Sequence, residues 1–174
     1  MRHGVGGAII IDGQLYRGMH NAAGEVGHIT IDHDGEPGSS GINGNVESFM
    51  SGPYLVHQFR KVGPTAHETL TGEEITRRAG QGDQTARQVL DQAGRALGTA
   101  VASLAMILDI ELYVIGGSVV NAGNLLLEPA RRTVPQFCFQ SVAERVRIEP
   151  VALGGDGPIL GCGWVARQEQ PQAG

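Results

Sequence analysis

Two glutamates and a histidine stand out in residues 21–47, NAAGEVGHITIDHDGEPGSSGINGNVE. Glu25, His28 and Glu47 flank a loop with glycine at every third position, Gly35, Gly38, Gly41 and Gly44. Carboxylates accept hydrogen bonds and an imidazole both donates and accepts, so together they can grip a polar ligand. A glycine-rich loop loses much conformational freedom when it orders, and a ligand, a metal or tight packing must compensate. The bland alternative is that Glu25 caps a turn and His28 is a satisfied core histidine. A rebuilt metal site could use His20 and His33 with Asp32 or Asp34. Ser39, Ser40, His28 and Asp32 lie close in sequence, but no G-x-S-x-G elbow is present, which argues against a hydrolase triad.

Two further glycine clusters offer backbone amides. The stretch GVGG, with Gly4, Val5, Gly6 and Gly7, is not a dinucleotide fingerprint, because no strand precedes it and no helix follows. The stretch IGGS, with Gly116 and Gly117, ends an apolar run where open α/β sheets place ligands. Taken alone, each cluster also fits a plain turn.

The elements that must position these residues follow from turn and period signals. Asp12-Gly13 between two strand-like runs predicts a two-residue hairpin. HITID reads as a third strand, and the glycine loop as irregular. VESFMSGPYLVHQFRKV reads as helix broken near Gly52-Pro53. TGEE at 71–74 has the form of a capping box, with Thr71 accepting from the Glu74 amide and Glu74 reaching back, and it opens a short helix through Ala79. From Asp83 a longer helix carries Ala86, Leu90, Ala93, Leu97, Val101, Leu104 and Leu108 along one face. Ala100, Ala102, Ala105, Met106 and Ile107 predict that its second half is buried nearly all round. ELYVIGG predicts a buried strand and NLLLEPARRTV a helix with Pro129 in its first turn. VRIEPVAL predicts a strand parallel to ELYVIGG, and DGPILGCGWVAR a last helix. The fold class is therefore α/β.

Bulk properties exclude several classes. The chain has 174 residues, 41% hydrophobic and 18% charged, enough for one sizeable domain or one lobe of a larger protein. A net charge of −5 leaves no basic footprint for nucleic acid. The pairs Arg77-Arg78 and Arg131-Arg132 read as solvated helix faces. Cys138 and Cys162 make no disulfide framework, and MRHGVGGAII puts glycines where a signal peptide needs an apolar core, so the expected compartment is reducing and cytoplasmic. No apolar run is long enough to span a bilayer.

The stretches GVGGAIIIDGQLYRGMHNAAGEVGHITID, GNVESFMSGP and LDIELYVIGGSVVNAG together resemble the C-terminal lobe of the ROK family (repressors, open reading frames and sugar kinases), within the actin-like ATPase superfamily. The resemblance covers nearly all of the chain. It implies an actin-like, ribonuclease H-like lobe over residues 1–168, with a mixed sheet, an N-terminal antiparallel hairpin and packed helices, and a flexible tail over 169–174. It implies a hexose or hexose derivative bound by Glu25, His28 and Glu47. It places Gly4, Val5, Gly6 and Gly7 at a second phosphate loop and Gly116 and Gly117 at an adenosine-contacting turn. The expected function is that of the sugar- and nucleotide-binding lobe of an ATP-dependent, glucokinase-like hexose kinase, with Mg²⁺ accompanying ATP in the complete protein. The alternative is the sugar-sensing effector domain of a ROK transcriptional repressor; a bare oligomerisation or lectin-like module is a third reading. A homodimer is expected, because a lobe separated from its neighbour exposes an apolar face.

The sequence departs from that family in two places. Many members carry zinc on the GH histidine and three cysteines arranged as C-x-C-G-x-x-G-C-x-E. Gly38, Ser40 and Asn45 stand at those cysteine positions here, and hydroxyl and amide are poor zinc ligands, so no structural zinc is expected. The loop is then expected to be ordered by backbone bonds and sugar contacts, and mobile without ligand, with His28 oriented by neighbours that the sequence does not identify. The first phosphate loop, D-x-G-G-T, and the Asn-Asp motif with its general base are not present, so this chain is expected to hold no catalytic residue, to lack the N-terminal lobe and to be inactive alone.

Overall fold

The computed structural model describes residues 4–63 and 70–168. The tail call over 169–174 falls outside the described residues. Strands β1 (Ile9–Ile11) and β2 (Gln14–Tyr16) pair antiparallel, with Ile11 opposite Gln14. Asp12 and Gly13 both take positive φ, 53° and 76°, as the two-residue turn requires.

HITID does not form a third strand. A 3-10 turn occupies Val26–His28, and the following residues make a single antiparallel bridge, Thr30 to Asn45. The chain turns away at Asp32, whose carbonyl accepts the Gly35 amide, before a ladder can extend.

Helices α1 (Glu47–Met50) and α2 (Gly52–Val62) are separated by Ser51, which is extended at ψ 149°. Pro53 falls in the first turn of α2, where a missing N–H costs nothing. Helix α3 (Gly72–Gly80) starts at Thr71, whose side chain accepts the Glu74 amide at 3.1 Å. Glu74 does not reach back to complete a capping box. Its carboxylate is taken by Arg77 and Arg78, both bonded at 2.7 Å, because guanidinium partners outcompete a backbone amide. Those arginines are therefore paired rather than merely solvated.

Helix α4 (Gln84–Leu108), capped by Asp83, packs on α1, α2, α3 and α5. Ala86, Leu90, Ala93, Leu97 and Val101 are buried as its spacing predicts, and each Leu or Val so buried contributes about 1.5–3 kcal/mol. Its last turn is less covered than expected. Ala102 and Ala105 are buried, but Met106 is 41% and Ile107 77% exposed. No described element lies over that side.

Helix α5 (Asn124–Phe137) extends beyond the expected limit, and Pro129 lies inside it rather than in its first turn. It crosses α4 at two glycines. A Cβ on Gly94 would stand 2.3 Å from the Leu126 carbonyl oxygen, and one on Gly98 2.4 Å from that of Ala130. Arg131 donates to the Ile148 carbonyl from Nε at 3.1 Å and from Nη2 at 2.6 Å, tying α5 to the next strand.

Strands β3 (Leu112–Ile115) and β4 (Arg147–Pro150) are parallel, with Tyr113 opposite Ile148. β3 is not buried as expected: Leu112 is 46% and Val114 56% exposed. Helices α6 (Gln140–Ala143) and α7 (Gly157–Gln168) follow, and α7 leaves Ile159, Leu160 and Trp164 exposed. The antiparallel and parallel pairs form two separate two-stranded sheets. Residues of both β1 and β3 line one cavity of about 1280 Å³ whose floor is the apolar face of α4, including Leu97, Val101, Leu104 and Leu108.

Gly98→Ala tests the helix crossing. Alanine gains up to about 1 kcal/mol of helix propensity, but the 2.4 Å approach to backbone forces α5 away. A net loss of about 1–3 kcal/mol is expected in chemical denaturation. An unchanged or higher midpoint would refute the tight crossing.

Candidate functional site

Residues 4–7 lie against the GEVGH segment. A Cβ on Gly27 would stand 1.9 Å from the Val5 carbonyl oxygen, and one on Gly24 2.8 Å from that of Gly7. The glycines of both segments thus serve a backbone approach that side chains would block. The Val5 amide donates to Glu47 Oε2 at 3.1 Å.

Glu47, the first residue of α1, is 6% exposed. Its second oxygen, Oε1, accepts the Ser39 hydroxyl. One buried carboxylate therefore fastens residues 4–7, the glycine loop and α1 together. Both its oxygens hold a protein donor, and each retains a further lone pair.

Glu25 and His28 lie at the two ends of the 3-10 turn Val26–His28, with Glu25 Oε2 3.8 Å from His28 Nε2. Their side chains are 63% and 33% exposed, so this pair opens to solvent while Glu47 does not. The other face of the imidazole meets the loop. Ser40 Oγ lies 3.3 Å and Asn45 Nδ2 3.5 Å from His28 Nδ1. Consecutive serines connect the set: Ser39 bonds Glu47 and Ser40 contacts His28. The structure thus sets Glu25 beside His28 and ties His28 and buried Glu47 to adjacent serines of one loop.

The glycine loop makes hydrogen bonds within its own chain. Gly38 N–H bonds the Ile42 carbonyl at 2.9 Å, Gly44 N–H the Glu36 carbonyl at 2.9 Å, and Ile31 N–H the Gly44 carbonyl at 2.9 Å. The Tyr54 hydroxyl donates to the Pro37 carbonyl, and Glu36 bonds Lys61 and His57. Gly44, at φ +52°, comes so close to the Asp32 carbonyl that a Cβ would stand 1.7 Å from it. The backbone bonds expected to order the loop are present, and Ser40 and Asn45 are the neighbours of His28 that the sequence left unidentified.

The positions at which the resemblance implies zinc ligands lie together. A Cβ at Gly38 would stand 2.4 Å from Asn45 Oδ1, and Ser40, Asn45 and His28 meet around Nδ1. The donor set is one imidazole, one hydroxyl and one amide, all neutral, and it does not fit Zn²⁺, which needs thiolate charge in such a position. The side chains bond one another instead. His33 pairs with Asp34 at 3.1 Å on the surface. No group of His, Cys, Asp or Glu suited to a metal occurs among the described residues.

The two glycine clusters border one cavity. Gly4, Val5, Gly6 and Gly7 from one side and Gly116, Gly117 and Ser118 from the other line the 1280 Å³ cavity. Val26 and Val46, the immediate neighbours of Glu25 and Glu47, line it too. Glu25, His28 and Glu47 do not, so the polar network lies beside this cavity rather than in it. Gly117 has φ +88°, which favours glycine at the end of β3. No motif marks Tyr113, which also lines the cavity. Its hydroxyl is buried without a partner among the described residues, and burial pushes its pKa up to about 12. Glu73 is the one carboxylate lining that cavity among the described residues.

No helix among the described residues is long and apolar enough to cross a membrane. The chain is 32% identical over 180 residues to a glucokinase of Halalkalibacterium halodurans, covering 96% of this chain and 54% of that protein. It is 31% identical over 169 residues to a xylose repressor of Caldicellulosiruptor bescii, covering 91% of this chain and 42% of the repressor. A solved ROK family glucokinase from Streptomyces griseus, in complex with glucose and AMPPNP, superposes with a TM-score of 0.82 at 29% identity, over 95% of this chain and 58% of that one. The chain spans about half the length of the curated relatives it matches. The ROK family profile matches residues 1–169, and the chain belongs to the ROK family.

Proposed function

We propose that this chain is the sugar- and nucleotide-binding lobe of an ATP-dependent hexose kinase, in which the complete protein transfers the γ-phosphoryl group of ATP to a sugar hydroxyl. The observation that carries the proposal is the paired arrangement of two sites in one lobe. A solvent-facing Glu25–His28 pair backed by buried Glu47 lies beside a cavity edged by both glycine clusters. The likeness to a glucokinase solved with glucose and AMPPNP supports the same assignment.

In this reading Glu25 accepts from a sugar hydroxyl and His28 donates to one. Glu47 contributes chiefly by holding the wall in place, with a free lone pair toward the ligand. The glycine amides of residues 4–7 face nucleotide phosphates while the Val5 amide is held by Glu47, and Gly116 and Gly117 let the adenosine approach β3 closely. Mg²⁺ supplies charge neutralisation on the phosphates when it arrives with ATP. In this reading the general base and the carboxylates that would hold the metal belong to the other lobe of the complete protein. The phosphotransferase activity therefore requires both lobes, and the lobe by itself binds without turnover. Exposed Phe137, Phe139, Ile159, Leu160 and Trp164 support a homodimer or an interlobe contact. A cytoplasmic location fits this substrate pair.

The 31% identity to a xylose repressor favours a second reading, an effector domain that binds the sugar with the same residues and transmits the signal to a DNA-binding segment. Polypeptide sequence adjoining this lobe separates them: an Asn-Asp motif belongs to the kinase, a basic helix-turn-helix to the repressor.

Two measurements test the site. Glu25→Gln in the complete protein is expected to weaken glucose binding by more than about tenfold in calorimetric titration, because a charge-assisted contact is lost; unchanged affinity would remove Glu25 from the site. Elemental analysis of chelator-free protein is expected to show zinc well below one equivalent. A full equivalent would mean that the His28, Ser40 and Asn45 cluster is not the metal-free clamp described above.

A further inference from the structure

Asn45 is fully buried, and its side-chain amide has one orientation. Its Oδ1 accepts the backbone N–H of Ser48 at 3.0 Å. A backbone N–H can only donate, so the oxygen must be the atom at that position. The other end of the amide, Nδ2, then points at Ser40 Oγ, 3.3 Å away, and at His28 Nδ1, 3.5 Å away. Turning the amide over would leave the Ser48 N–H without an acceptor in a buried place and set two donors against each other.

Direction propagates from that fixed point. Nδ2 donates only. A Ser40 hydroxyl that accepts from Nδ2 has its own proton free to give, and His28 Nδ1 lies 3.3 Å away. Ser40 can turn that proton toward Nδ1 or accept a second bond there, but Asn45 Nδ2 can only donate, and facing Nδ1 it calls for a lone pair on that atom. A neutral imidazole with a bare Nδ1 carries its proton on Nε2. That atom faces Glu25 Oε2 across 3.8 Å.

We propose that Asn45 and Ser40 are positioning residues that hold His28 in the Nε2–H tautomer, so that the open edge of the ring is a hydrogen-bond donor beside the Glu25 acceptor. The 3.8 Å gap is too long for a direct hydrogen bond, and a hydroxyl set on the solvent side of the pair can reach both groups. Such a hydroxyl accepts from Nε2–H and donates to Oε2. The ligand class is then one with a free hydroxyl at this point, in preference to an ether or a deoxy carbon. The identity of the ligand rests on the sugar-site reading above; the tautomer does not.

The test is the two-bond proton–nitrogen correlation spectrum of the ¹⁵N-histidine-labelled, chelator-treated chain, recorded without sugar at alkaline pH. His28 is expected to show the Nε2–H pattern. In Asn45→Asp, one carboxylate oxygen still accepts from Ser48, while the other replaces the donor at Nδ1 with an acceptor, and the pattern is expected to invert to Nδ1–H or to become that of a doubly protonated ring. Ser40→Ala, at an exposed position, is expected to keep the Nε2–H pattern and move the Nδ1 resonance toward that of an unbonded lone pair. An Nδ1–H ring in the unmodified chain, an Asn45→Asp spectrum with the original pattern, or an unmoved Nδ1 resonance in Ser40→Ala would each overturn the proposal. Glucose added to the same sample reads the other claim separately: no perturbation of the His28 resonances would remove the sugar site and leave the tautomer standing.

Discussion

The buried carboxylate of Glu47 is the constraint on which the rest of the site depends. It accepts the Val5 amide and the Ser39 hydroxyl from two segments far apart in sequence, and so sets residues 4–7 and the glycine loop against α1. Hydrogen bonds to a charged group contribute about 1.5–3 kcal/mol each, while ordering a backbone costs about 1–2 kcal/mol per residue. Two such bonds offset the ordering of only a few residues. The remainder must come from close backbone contact, and this explains the glycines. At Gly44 and Gly27 the chains approach to within what would be 1.7 and 1.9 Å of a Cβ, so the loop bonds its own carbonyls and residues 4–7 press on the GEVGH turn.

Asn45, two residues away, does for the imidazole what Glu47 does for the backbone. Its burial and its bond to the Ser48 amide make it a rigid reference, from which Ser40 and His28 take their orientation. A hydrogen-bond cluster of His28, Ser40 and Asn45 holds this point, and the loop closes with short-range directional bonds.

Much of this was legible in the sequence where the signal is local. Asp12-Gly13, Asp83 and Thr71 each dictate a turn or cap through their own backbone chemistry, and the structure agrees at each. The spacing of Leu90, Leu97 and Val101 gave the buried face of α4. What failed depended on partners remote in sequence. HITID has strand composition, yet its neighbours turn too early to offer a ladder. Glu74 fits a capping box but meets two arginines first. Met106, Ile107, Leu112 and Val114 look like core and are exposed, because burial depends on a covering layer that periodicity does not report. Ser40 and Asn45 were visible as substitutions in a metal motif; their mutual bonds were not, since a side-chain network is a property of three-dimensional approach.

The central claim is that the polar wall is preformed by protein groups alone. Amide hydrogen exchange across residues 35–47, on chelator-treated chain without sugar or nucleotide, tests it most directly. The Gly38, Gly44 and Val46 amides, each bonded to a backbone carbonyl, are expected to exchange far more slowly than in an unstructured peptide. Exchange at the unstructured rate throughout the segment, slowed only when metal or sugar is supplied, would contradict the account.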